Sequence, residues 1–579
     1  MSTDSEKSYQ AIIIGSGFGG AITGCRLAKK WKNEVLILER GKRYPMGSFP
    51  RSPHELGRNF WYMPGDKKCR VNHLEKQCEE LHGMFDIRNY KHMDAVVSAG
   101  LGGGSLIYAN VFLFPPDEIF DKRWPATCKR DDLHPYYIVA KEVLGSRPIP
   151  PANGNDRRHV LRTEQFQKAA QAMGRDSELL DINVFFGKDP EGEPLAIGRQ
   201  EENRYGVPQT SCVYCAECDV GCNTHSKNTL DLNYLHVAED RYGAEILTEH
   251  LAVKIVPVNQ DGQDDPGADG GHGYRVHYRD LNGKKDLTAR TQRVVLGAGT
   301  FGTNQMLMRC RDLYKTLPRI SNKLGHSFSG NGDFVVVALD TGKPIDPTYG
   351  PVITQRIDMN LFKEFAKEHA FVIEDAAFPP FGAWFAEGAK PRFLWGSALW
   401  KTVRDTFKRL LQGKTYGPVN YALRDLLSDD ASYNTALLLC MGLDKSNGVM
   451  HLDKHDELEV DWPYRDSLSL YDAILKAGKE FADKVGARAW IPFPTWLWPS
   501  RNNITVHPLG GCILAGDDSS GVSSAERKTF GQVFNYKGLY VADGALLPSA
   551  TGANPTATIS ALAEMVAEGI TEIPPDAKL

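Results

Sequence analysis

The sequence predicts an α/β protein of two or more domains, built around a Rossmann-like unit near its start. Residues 9–41 contain a short apolar run, a glycine-rich turn, a helix-like segment and a second apolar run, which is the order of a strand, turn, helix and strand. Strand-like runs recur between residues 244 and 296 and again near residue 540. The length of 579 residues is too great for one hydrophobic core.

The glycine-rich turn is typical of a dinucleotide-binding site. An apolar run at residues 11–14 is followed by GSGFGG, residues 15–20, and residues 21–30 are helix-like. Gly15 permits the tight turn, Gly17 lets a pyrophosphate approach the backbone, and Gly20 lets the helix pack closely on the strand. The phosphates are expected at the N-terminus of the helix. The alternative is a purely structural turn, since glycine-rich turns are common.

An acidic residue after the second apolar run narrows the choice of ligand. The run at residues 35–38 is followed by Glu39, 19 residues beyond Gly20. A ribose-binding acid is expected about 20 residues after the glycines, and a carboxylate favours a free ribose 2′-hydroxyl over a 2′-phosphate. The predicted ligand is therefore FAD or NAD rather than NADP.

The composition indicates a globular protein and gives no reason to expect binding to nucleic acid. Hydrophobic residues make up 42% of the chain and charged residues 24%. The 68 lysines and arginines nearly balance 72 acidic residues, for a net charge of −4. The first ten residues are polar and no apolar stretch reaches 18 residues. We therefore expect no signal peptide or membrane span, and a cytoplasmic protein.

A second glycine cluster is a further candidate for cofactor contact. Residues 98–105 read SAGLGGGS, and backbone amides without Cβ obstruction suit a phosphate or the edge of a flat ring. A structural glycine loop is the alternative. Residues 131–144 are predicted as a helix, and residues 148–155, rich in proline, glycine and asparagine, as a linker. Residues 42–93 have no clear period, and no element is predicted for them.

A cysteine-rich segment at residues 210–230, the cysteine loop, carries a metal-binding pattern. Cys212, Cys215, Cys218 and Cys222 have the spacing C-x2-C-x2-C-x3-C of ferredoxin-like iron–sulfur loops. Asn223 stands where such loops have proline. Three interpretations stay open: a [4Fe-4S] cluster, a structural zinc, and cysteines that are reduced or paired as disulfides. The odd total of 11 cysteines argues against a disulfide framework for the whole chain.

The middle of the chain alternates like a sheet. Residues 244–258, 274–280 and 287–296 are predicted strands, and the last runs into a glycine turn at 297–300 and a helix at 302–309. Residues 334–339 form a continuous apolar strand. Aromatic residues and prolines become frequent from there to residue 498, which we interpret as a second, substrate-facing domain. Near the C-terminus, a strand at 538–541 precedes a helix that begins at residues 554–556 and runs to residue 570.

Five motifs in their order give the sequence a family resemblance. GSGFGG with Glu39, GLGGGS, LGAGTFG, VHPLGG and VADGALLPSATGANPTATISALAE resemble the glucose–methanol–choline (GMC) family of FAD-dependent oxidoreductases, and its cholesterol oxidase-like branch in particular. The resemblance implies an α/β fold with a discontinuous Rossmann-like FAD-binding domain and an inserted α+β substrate domain. It assigns residues 1–130, 206–335 and 500–579 to the FAD domain, and residues 131–205 and 336–499 to the substrate domain and connections.

The resemblance also implies catalytic residues. The family's base falls on His507 in HPLGG and its second polar residue on Asn554, while Glu374 is the nearest match to a glutamate in the substrate cavity of the branch. A histidine suits the task, because oxidation of an alcohol requires removal of the hydroxyl proton as hydride leaves the carbon. The alternatives are a packed histidine, an asparagine that caps the following helix, and a glutamate in a surface loop.

The residues expected to hold FAD come from all the motifs. In that branch an asparagine and glycines follow GGGS, whereas this chain has Tyr108, Ala109 and Asn110. The predicted cofactor-binding residues are Gly15, Gly17, Phe18, Gly19, Gly20, Glu39, Arg40, Gly102, Gly103, Gly104, Ser105, Asn110, Val253, Gly299, Asp543, Gly544, Asn554, Pro555 and Thr556.

The function predicted is FAD-dependent oxidation of a hydrophobic alcohol, sterol-like, long-chain or aromatic. With an iron–sulfur cluster the enzyme would be a dehydrogenase that passes electrons to an acceptor protein or a quinone. The alternatives are an oxygen-using oxidase without a cluster and a non-catalytic flavin redox sensor. Residues 392–414 predict a basic amphipathic helix, which is either packed on the substrate domain or a lid that contacts a membrane peripherally.

Overall fold

Two large β-sheets organise the chain. The structure is a computed structural model that describes residues 6–62, 80–152, 157–188, 194, 196–366, 369–383, 430–497 and 501–579. The predicted amphipathic helix at 392–414 lies outside these residues. The described helices are α1 (Phe18–Lys30), α2 (Pro53–Arg58), α3 (Arg130–Val143), α4 (Leu161–Ala172), α5 (Tyr234–Asp240), α6 (Gly299–Met308), α7 (Asp430–Tyr433), α8 (Leu468–Lys484) and α9 (Thr556–Thr571).

The strands cover every stretch that the sequence predicted as a strand, with one of these stretches divided in two. In chain order they are β1 (Lys7–Ile14), β2 (Val35–Leu38), β3 (Trp61–Tyr62), β4 (Leu81–His82), β5 (Phe85–Tyr90), β6 (Met93–Ser98), β7 (Ser177–Leu179), β8 (Gln200–Glu202), β9 (Pro208–Thr210), β10 (Glu245–Leu247), β11 (His250–Pro257), β12 (Tyr274–Asp280), β13 (Lys285–Leu296), β14 (His326–Ser329), β15 (Phe334–Leu339), β16 (Gln355–Met359), β17 (Phe371–Ala376), β18 (Ala436–Gly442), β19 (Val449–Leu452), β20 (Leu458–Asp461), β21 (Ala489–Pro492), β22 (Asn503–Thr505), β23 (Leu509–Gly511), β24 (Leu514–Ala515), β25 (Ser523–Ser524) and β26 (Leu539–Val541).

The first sheet places four strand ends at one edge. Its order is β10-β2-β1-β13-β12-β11, with β26 also paired to β13. The parallel register sets Ile14 beside Leu38 and Leu296, and Leu296 beside Val541. The apolar ends of these strands are buried on both faces, as is usual for parallel strands covered by helices. The turns that follow the four strands therefore converge at the carboxyl edge, where open α/β sheets bind ligands.

One predicted strand is divided in the structure. The prediction of a single strand at 244–258 is wrong in that respect, because β10 pairs in parallel with β2 whereas β11 pairs antiparallel with β12. Glu249, between them, has φ +59°, a left-handed conformation that interrupts an extended chain. Its N–H donates to the carbonyl of Gly41, which ties the break to the end of β2.

The second sheet is antiparallel and draws on distant segments. Its order is β21-β15-β18-β17-β16-β7. The continuous apolar strand predicted at 334–339 is β15, which lies between β18 and β21 and is covered by α8. The short strand β7 joins from residues 177–179, far ahead of the others in the chain. The α/β class is confirmed, while the domain boundaries given above stay a prediction.

The first and last long helices pack against each other beside the first sheet. Arg26 of α1 forms a buried bidentate ion pair with Glu564 of α9, with both N–O distances 2.8 Å. Tyr234 of α5 donates a third hydrogen bond to the same carboxylate. Removing one partner of such a buried pair typically costs about 3–5 kcal/mol.

The stretch for which no element was predicted, residues 42–93, contains local structure. It holds α2 and the short strands β3 and β4, followed by the hairpin of β5 and β6, and residues 63–79 lie outside the description. The helix predicted at 131–144 is α3. In the predicted linker, residues 148–152 form no helix or strand.

Candidate active site

A large cavity lies at the carboxyl edge of the first sheet. Its volume is about 530 Å³, within the range of cofactor and ligand sites. The glycine turn after β1, the turn after β13 and the segment before α9 all contribute to its wall. We call it the cofactor cavity.

Most of the predicted cofactor residues line this cavity. Three predicted cofactor residues do not line it, Gly20, Gly102 and Ser105, and neither does the predicted catalytic residue Glu374. Those that line it are Gly15, Gly17, Phe18, Gly19, Glu39, Arg40, Gly103, Gly104, Asn110, Val253, Gly299, His507, Asp543, Gly544, Asn554, Pro555 and Thr556.

The N-terminus of α1 is open to the cavity. Its N-cap is Gly17, which offers no side-chain cap, and its first turn has no acidic residue. The first backbone N–H groups of the helix are thus free to bind an anion such as a pyrophosphate. Gly15 has φ +91°, and a Cβ at Gly20 would lie 1.8 Å from the carbonyl oxygen of Gly15. Glycine is therefore required at both positions by the backbone.

Glu39 lies at the cavity wall with its carboxylate already oriented. It is 5% exposed. One oxygen accepts hydrogen bonds from the Ser16 hydroxyl at 2.7 Å and the Ser16 N–H at 3.0 Å, and the other accepts from the Gly41 N–H at 2.8 Å. Each carboxylate oxygen has two lone pairs, so this acid can be held in place and still accept from a ribose hydroxyl.

The cavity wall also carries buried polar atoms that have few or no hydrogen-bond partners among the described residues. Asn110 is fully buried with φ +72°, and among the described residues its side-chain amide has no hydrogen-bond partner other than the nearby Cys218 thiol. The Oδ1 atom of Asn554 has no partner among the described residues. Buried polar groups are normally paired, so such atoms indicate a missing ligand. The glycine turn, the open helix and these amides together fit FAD.

His507 is held by a carboxylate that the sequence analysis did not identify. Its ring lines the cavity, and its Nδ1 lies 2.8 Å from Oδ1 of Asp333. Asp333 is 174 residues away in the sequence and belongs to no recognised motif. Only its position immediately before the predicted strand β15 singles it out, and that is not a signal for function.

Asn554 and Glu374 form a pair behind the cavity wall. The Nδ2 of Asn554 donates to Oε2 of Glu374 at 3.3 Å. The interpretation of Asn554 as a helix cap is wrong, because Pro555 occupies the N-cap of α9 and no side chain caps it. Glu374 lies in β17 and is completely buried, so the surface-loop alternative is also wrong. Burial raises the pKa of Glu374 to about 8.

The wall formed by the second sheet is aliphatic. It consists of side chains from strands β15, β17 and β18 and from nearby loops, with no charged group among them. These residues are Val335, Val352, Ile353, Ala376, Ala377, Leu437 and Leu439. Such a wall favours an apolar substrate next to the polar pair of His507 and Asn554.

The four cysteines of the cysteine loop line a second, small cavity. Its volume is about 20 Å³, room for about one water molecule. Sulfur atoms of Cys212 and Cys222 accept backbone hydrogen bonds of 3.4 Å. All four thiols are free, and burial raises the pKa of Cys212, Cys215 and Cys218. Within the described residues, no group of three or more His, Cys, Asp or Glu side chains is arranged to hold a metal ion.

A buried lysine connects the cysteine loop to the cofactor cavity. The Nζ of Lys227 donates to the carbonyls of Leu106 and Cys218, each at 2.7 Å, and to that of Tyr108 at 3.3 Å. Burial lowers the pKa of Lys227 to about 8. Asn110, which lines the cofactor cavity, also lies close to the Cys218 thiol. The two cavities are therefore neighbours across one layer of side chains and backbone.

The Rossmann-like sheet, the glycine-lined cavity at its carboxyl edge and the histidine beside it define a dinucleotide-dependent oxidoreductase. Family models described as GMC oxidoreductase match residues 9–310 and 444–563. The chain belongs to the GMC oxidoreductase family, and it is an FAD-dependent enzyme acting on CH–OH groups. The family resemblance seen in the motifs is thereby confirmed. The alternative of a non-catalytic redox sensor is not supported.

Several characterised proteins are similar over nearly the whole chain. A cholesterol oxidase from Acinetobacter baumannii is 29% identical, over 97% of this chain and 94% of that protein. A cholesterol oxidase from Mycobacterium tuberculosis is 28% identical, over 97% and 91%. The long-chain-alcohol oxidase FAO4B of Arabidopsis thaliana is 22% identical, over 97% and 67%.

Solved structures agree on the fold. A fungal aryl-alcohol oxidase superimposes with a TM-score of 0.60 at 15% identity, covering 98% of this chain and 99% of that one. Pyridoxine 4-oxidase from Mesorbium loti gives a TM-score of 0.57 at 15% identity, with 97% and 98% covered. Among the described helices, none is long and apolar enough to cross a membrane.

Proposed function

We propose that the protein oxidises a hydrophobic alcohol, sterol-like, long-chain or aromatic, to the ketone or aldehyde. The observation that carries this proposal is the placement of His507 and Asn554 in one cavity whose wall on the side of the second sheet is aliphatic. Relatives named cholesterol oxidase and long-chain-alcohol oxidase support it. The aliphatic wall excludes water and contributes roughly 25 cal/mol for each Å² of apolar substrate surface that it buries.

The chain's own groups handle the proton and the substrate oxygen. When bound, FAD supplies the hydride acceptor. His507 takes the hydroxyl proton at Nε2, since Nδ1 is engaged by Asp333. Asn554 holds the same oxygen, and Glu374 fixes the Asn554 amide from behind. Because the pKa of Glu374 is raised to about 8, it is protonated at neutral pH and adds no charge to the site.

The cofactor would be held by the residues that surround the cavity. The N-terminus of α1 and Gly17 would bind the pyrophosphate, and Glu39 the ribose. Asn110 and the segment before α9 would contact the flavin end, because they line the same cavity as His507.

We further propose that the cysteine loop holds a [4Fe-4S] cluster, which makes the enzyme a dehydrogenase. The four thiols around one cavity and the N–H groups directed at two of the sulfurs support this. A cluster accepts and donates single electrons, which suits an acceptor protein or a quinone. In the present arrangement the cavity of about 20 Å³ fits a smaller group, so the cysteine side chains must turn to accommodate a cluster. Without a cluster, an oxygen-using oxidase is the alternative.

Contact with a membrane through the predicted amphipathic helix at residues 392–414 remains a proposal from the sequence. Its basic and aromatic residues suit an anionic lipid surface, and such a contact would bring the enzyme to hydrophobic alcohols.

Anaerobic reduction of the bound flavin tests the alcohol oxidation. Benzyl alcohol, 1-decanol and detergent-dispersed cholesterol are mixed with the FAD-loaded protein, and loss of flavin absorbance is followed. We expect at least one of them to reduce the wild type. The His507→Gln variant should bind FAD normally and be reduced about 10²-fold more slowly, the usual contribution of a general base.

The control is His455→Gln, a change at a residue in the turn between β19 and β20 that does not line the cavity. If none of the three alcohols reduces the wild type, the proposed function is wrong. Equal rates for wild type and His507→Gln would remove His507 from the mechanism.

A further inference from the structure

Asp333 holds His507 at more than one point. The carboxylate is 2% exposed and stands immediately before β15. Its Oδ1 pairs with the Nδ1 of His507, while its Oδ2 accepts from the N–H of Val506 at 2.8 Å, the hydroxyl of Thr505 at 3.0 Å and the N–H of His507 at 3.2 Å. One side chain thus fixes both the backbone and the ring of the histidine.

This contact determines the tautomer of the histidine. An ionised carboxylate can only accept hydrogen bonds, so in the neutral imidazole the proton resides on Nδ1 and the lone pair on Nε2. Among the described residues Nε2 has no hydrogen-bond partner. The basic nitrogen of His507 is therefore left available in the wall of the cofactor cavity.

The charged groups around Asp333 leave His507 as its partner. In the part of the chain that the structure describes, His507 is the only ion-pair partner of Asp333. Two other titratable groups lie near the carboxylate, Glu374 and Tyr471, and burial raises the pKa of each. Neither supplies a positive charge. When His507 takes up a proton, the imidazolium is the cation that Asp333 stabilises directly.

We propose that Asp333 is a positioning residue for the oxidation. It holds the imidazole in the Nδ1–H tautomer and in a fixed orientation, so that Nε2 receives the substrate hydroxyl proton, and it stabilises the imidazolium that results. This inference rests on the proposed function for its kinetic consequence, but its effect on the tautomer stands independently of it.

Asp333→Asn is the informative variant. In this variant the side-chain carbonyl is expected to keep the N–H donors of residues 506 and 507, which directs the side-chain NH₂ group at Nδ1 of His507. The ring proton then moves to Nε2, and this nitrogen can no longer act as the base. We expect the limiting rate of anaerobic flavin reduction to fall about 10²-fold, with the apparent substrate Kd changed less than about threefold. The alcohol used is whichever of the three above reduces the wild type fastest.

A double mutant separates positioning from structural damage. If Asp333 acts through His507, the Asp333→Asn, His507→Gln double variant is no slower than His507→Gln alone, within about twofold. Thr505→Val tests the other contacts, since it removes the hydroxyl that meets Oδ2 of Asp333 and the N–H of His507 and leaves the contact between Asp333 and the ring. We expect it to slow flavin reduction much less than Asp333→Asn does. Multiplicative losses in the double variant, or a wild-type rate for Asp333→Asn, would overturn the proposal while leaving the alcohol oxidation intact.

A second pair of variants covers failure of Asp333→Asn to fold. Asp333→Glu and Asp333→Gln share one added methylene, so any packing penalty is common to both, and only the first retains an anionic acceptor. We expect the Glu variant to be reduced at least about tenfold faster than the Gln variant. Equal rates would count against the proposal.

Imidazole ¹⁵N NMR provides a readout that needs no substrate. The His507 signals are assigned as those missing from His507→Gln, and the coupling pattern of the ring nitrogens reports the tautomer. We expect Nδ1–H in the wild type and Nε2–H in Asp333→Asn. An Nε2–H tautomer in the wild type would overturn the inference even if no alcohol reduces the flavin.

Discussion

At the scale of single residues, two buried acids serve the site in opposite states. Asp333 accepts hydrogen bonds from four donors, as an ionised carboxylate does. Glu374 has one oxygen bonded to Asn554 and the other, Oε1, without a partner among the described residues. A buried carboxyl with so few donors is more stable with its proton. The charge at the site therefore lies beside the histidine and not beside Asn554.

The raised pKa of Glu374 makes the free energy of unfolding depend on pH. Its pKa is raised from 4.5 to about 8, so the folded protein keeps the proton over a range in which the unfolded chain releases it. The free energy of unfolding therefore falls as pH rises from about 4.5 to about 8. Glu374→Gln keeps the neutral shape and removes this dependence. We expect equal melting temperatures for wild type and variant at pH 5, and at pH 9 a variant that melts several degrees higher.

Melting of the FAD-loaded proteins at the two pH values measures this. The same change at the exposed Glu118 is the control and should give no difference between pH 5 and pH 9. A melting difference between wild type and Glu374→Gln that is the same at both pH values would show that Glu374 is ionised in the folded protein.

The site residues that could be predicted are those within local motifs. The glycine turn and Glu39 follow from one contiguous unit with a known geometry, and His507 and Asn554 were reached through the family resemblance of the tail. Asp333 could not be predicted, since its contact joins segments 174 residues apart and the sequence around it has no functional pattern. Such pairs are fixed by tertiary packing and become visible only in the fold.

At the scale of elements, the turn between β1 and α1 divides two tasks between its glycines. A Cβ at Gly20 would meet the backbone of Gly15 at 1.8 Å, so this glycine serves the packing of helix on strand. A Cβ at Gly17 would have its nearest protein atom at 3.7 Å, an ordinary contact, and would stand at the cavity wall. Packing and cofactor binding can therefore be separated by mutation.

We expect Gly20→Ala to affect stability and Gly17→Ala to affect FAD binding. Gly20→Ala should lower the melting temperature of the apoprotein by several degrees, because overpacking typically costs about 1–3 kcal/mol. Gly17→Ala should leave that melting temperature unchanged and weaken FAD binding by about tenfold or more, the equivalent of one hydrogen bond to a charged group. Calorimetry of the apoprotein and titration with FAD measure the two effects. A destabilised apoprotein in Gly17→Ala would contradict this division.

The elements themselves were largely predictable where apolar runs are continuous. β2, β12 and β15 have the bounds expected from the sequence, because strands buried on a sheet read as unbroken or alternating apolar runs. The break between β10 and β11 was not predicted, since it depends on one residue, Glu249, adopting a left-handed conformation that a glutamate rarely adopts.

At the scale of the whole molecule, buried hydrogen bonds connect the cofactor cavity to the cavity of the cysteine loop. Lys227 joins the loop before Asn110 to the cysteine loop through three backbone carbonyls. A group bound by the cysteines would therefore be held at a fixed distance from the flavin end of the cofactor cavity.

Metal analysis tests what the cysteine loop binds. We expect protein purified without air to contain about four iron atoms and four sulfides per chain, and Cys218→Ser to lose them. Cys310→Ser is the control, because this thiol is buried under β11 and far from the loop in the sequence. If the protein contains no iron or sulfide, the cluster proposal is wrong. One zinc per chain would indicate a structural zinc site instead.

The ion pair between Arg26 and Glu564 bears on how the enzyme is made. The two residues are 538 positions apart, and the strand β26, which also completes the first sheet, comes from the same late segment as Glu564. The glycine turn and α1 are synthesised at the start of translation, whereas α9, which carries Glu564, is synthesised near the end. Until that segment has emerged, Arg26 lacks its ion-pair partner and the first sheet lacks β26. Since residues 554–556 of the same late segment line the cofactor cavity, we expect FAD to bind only after the C-terminal segment has folded.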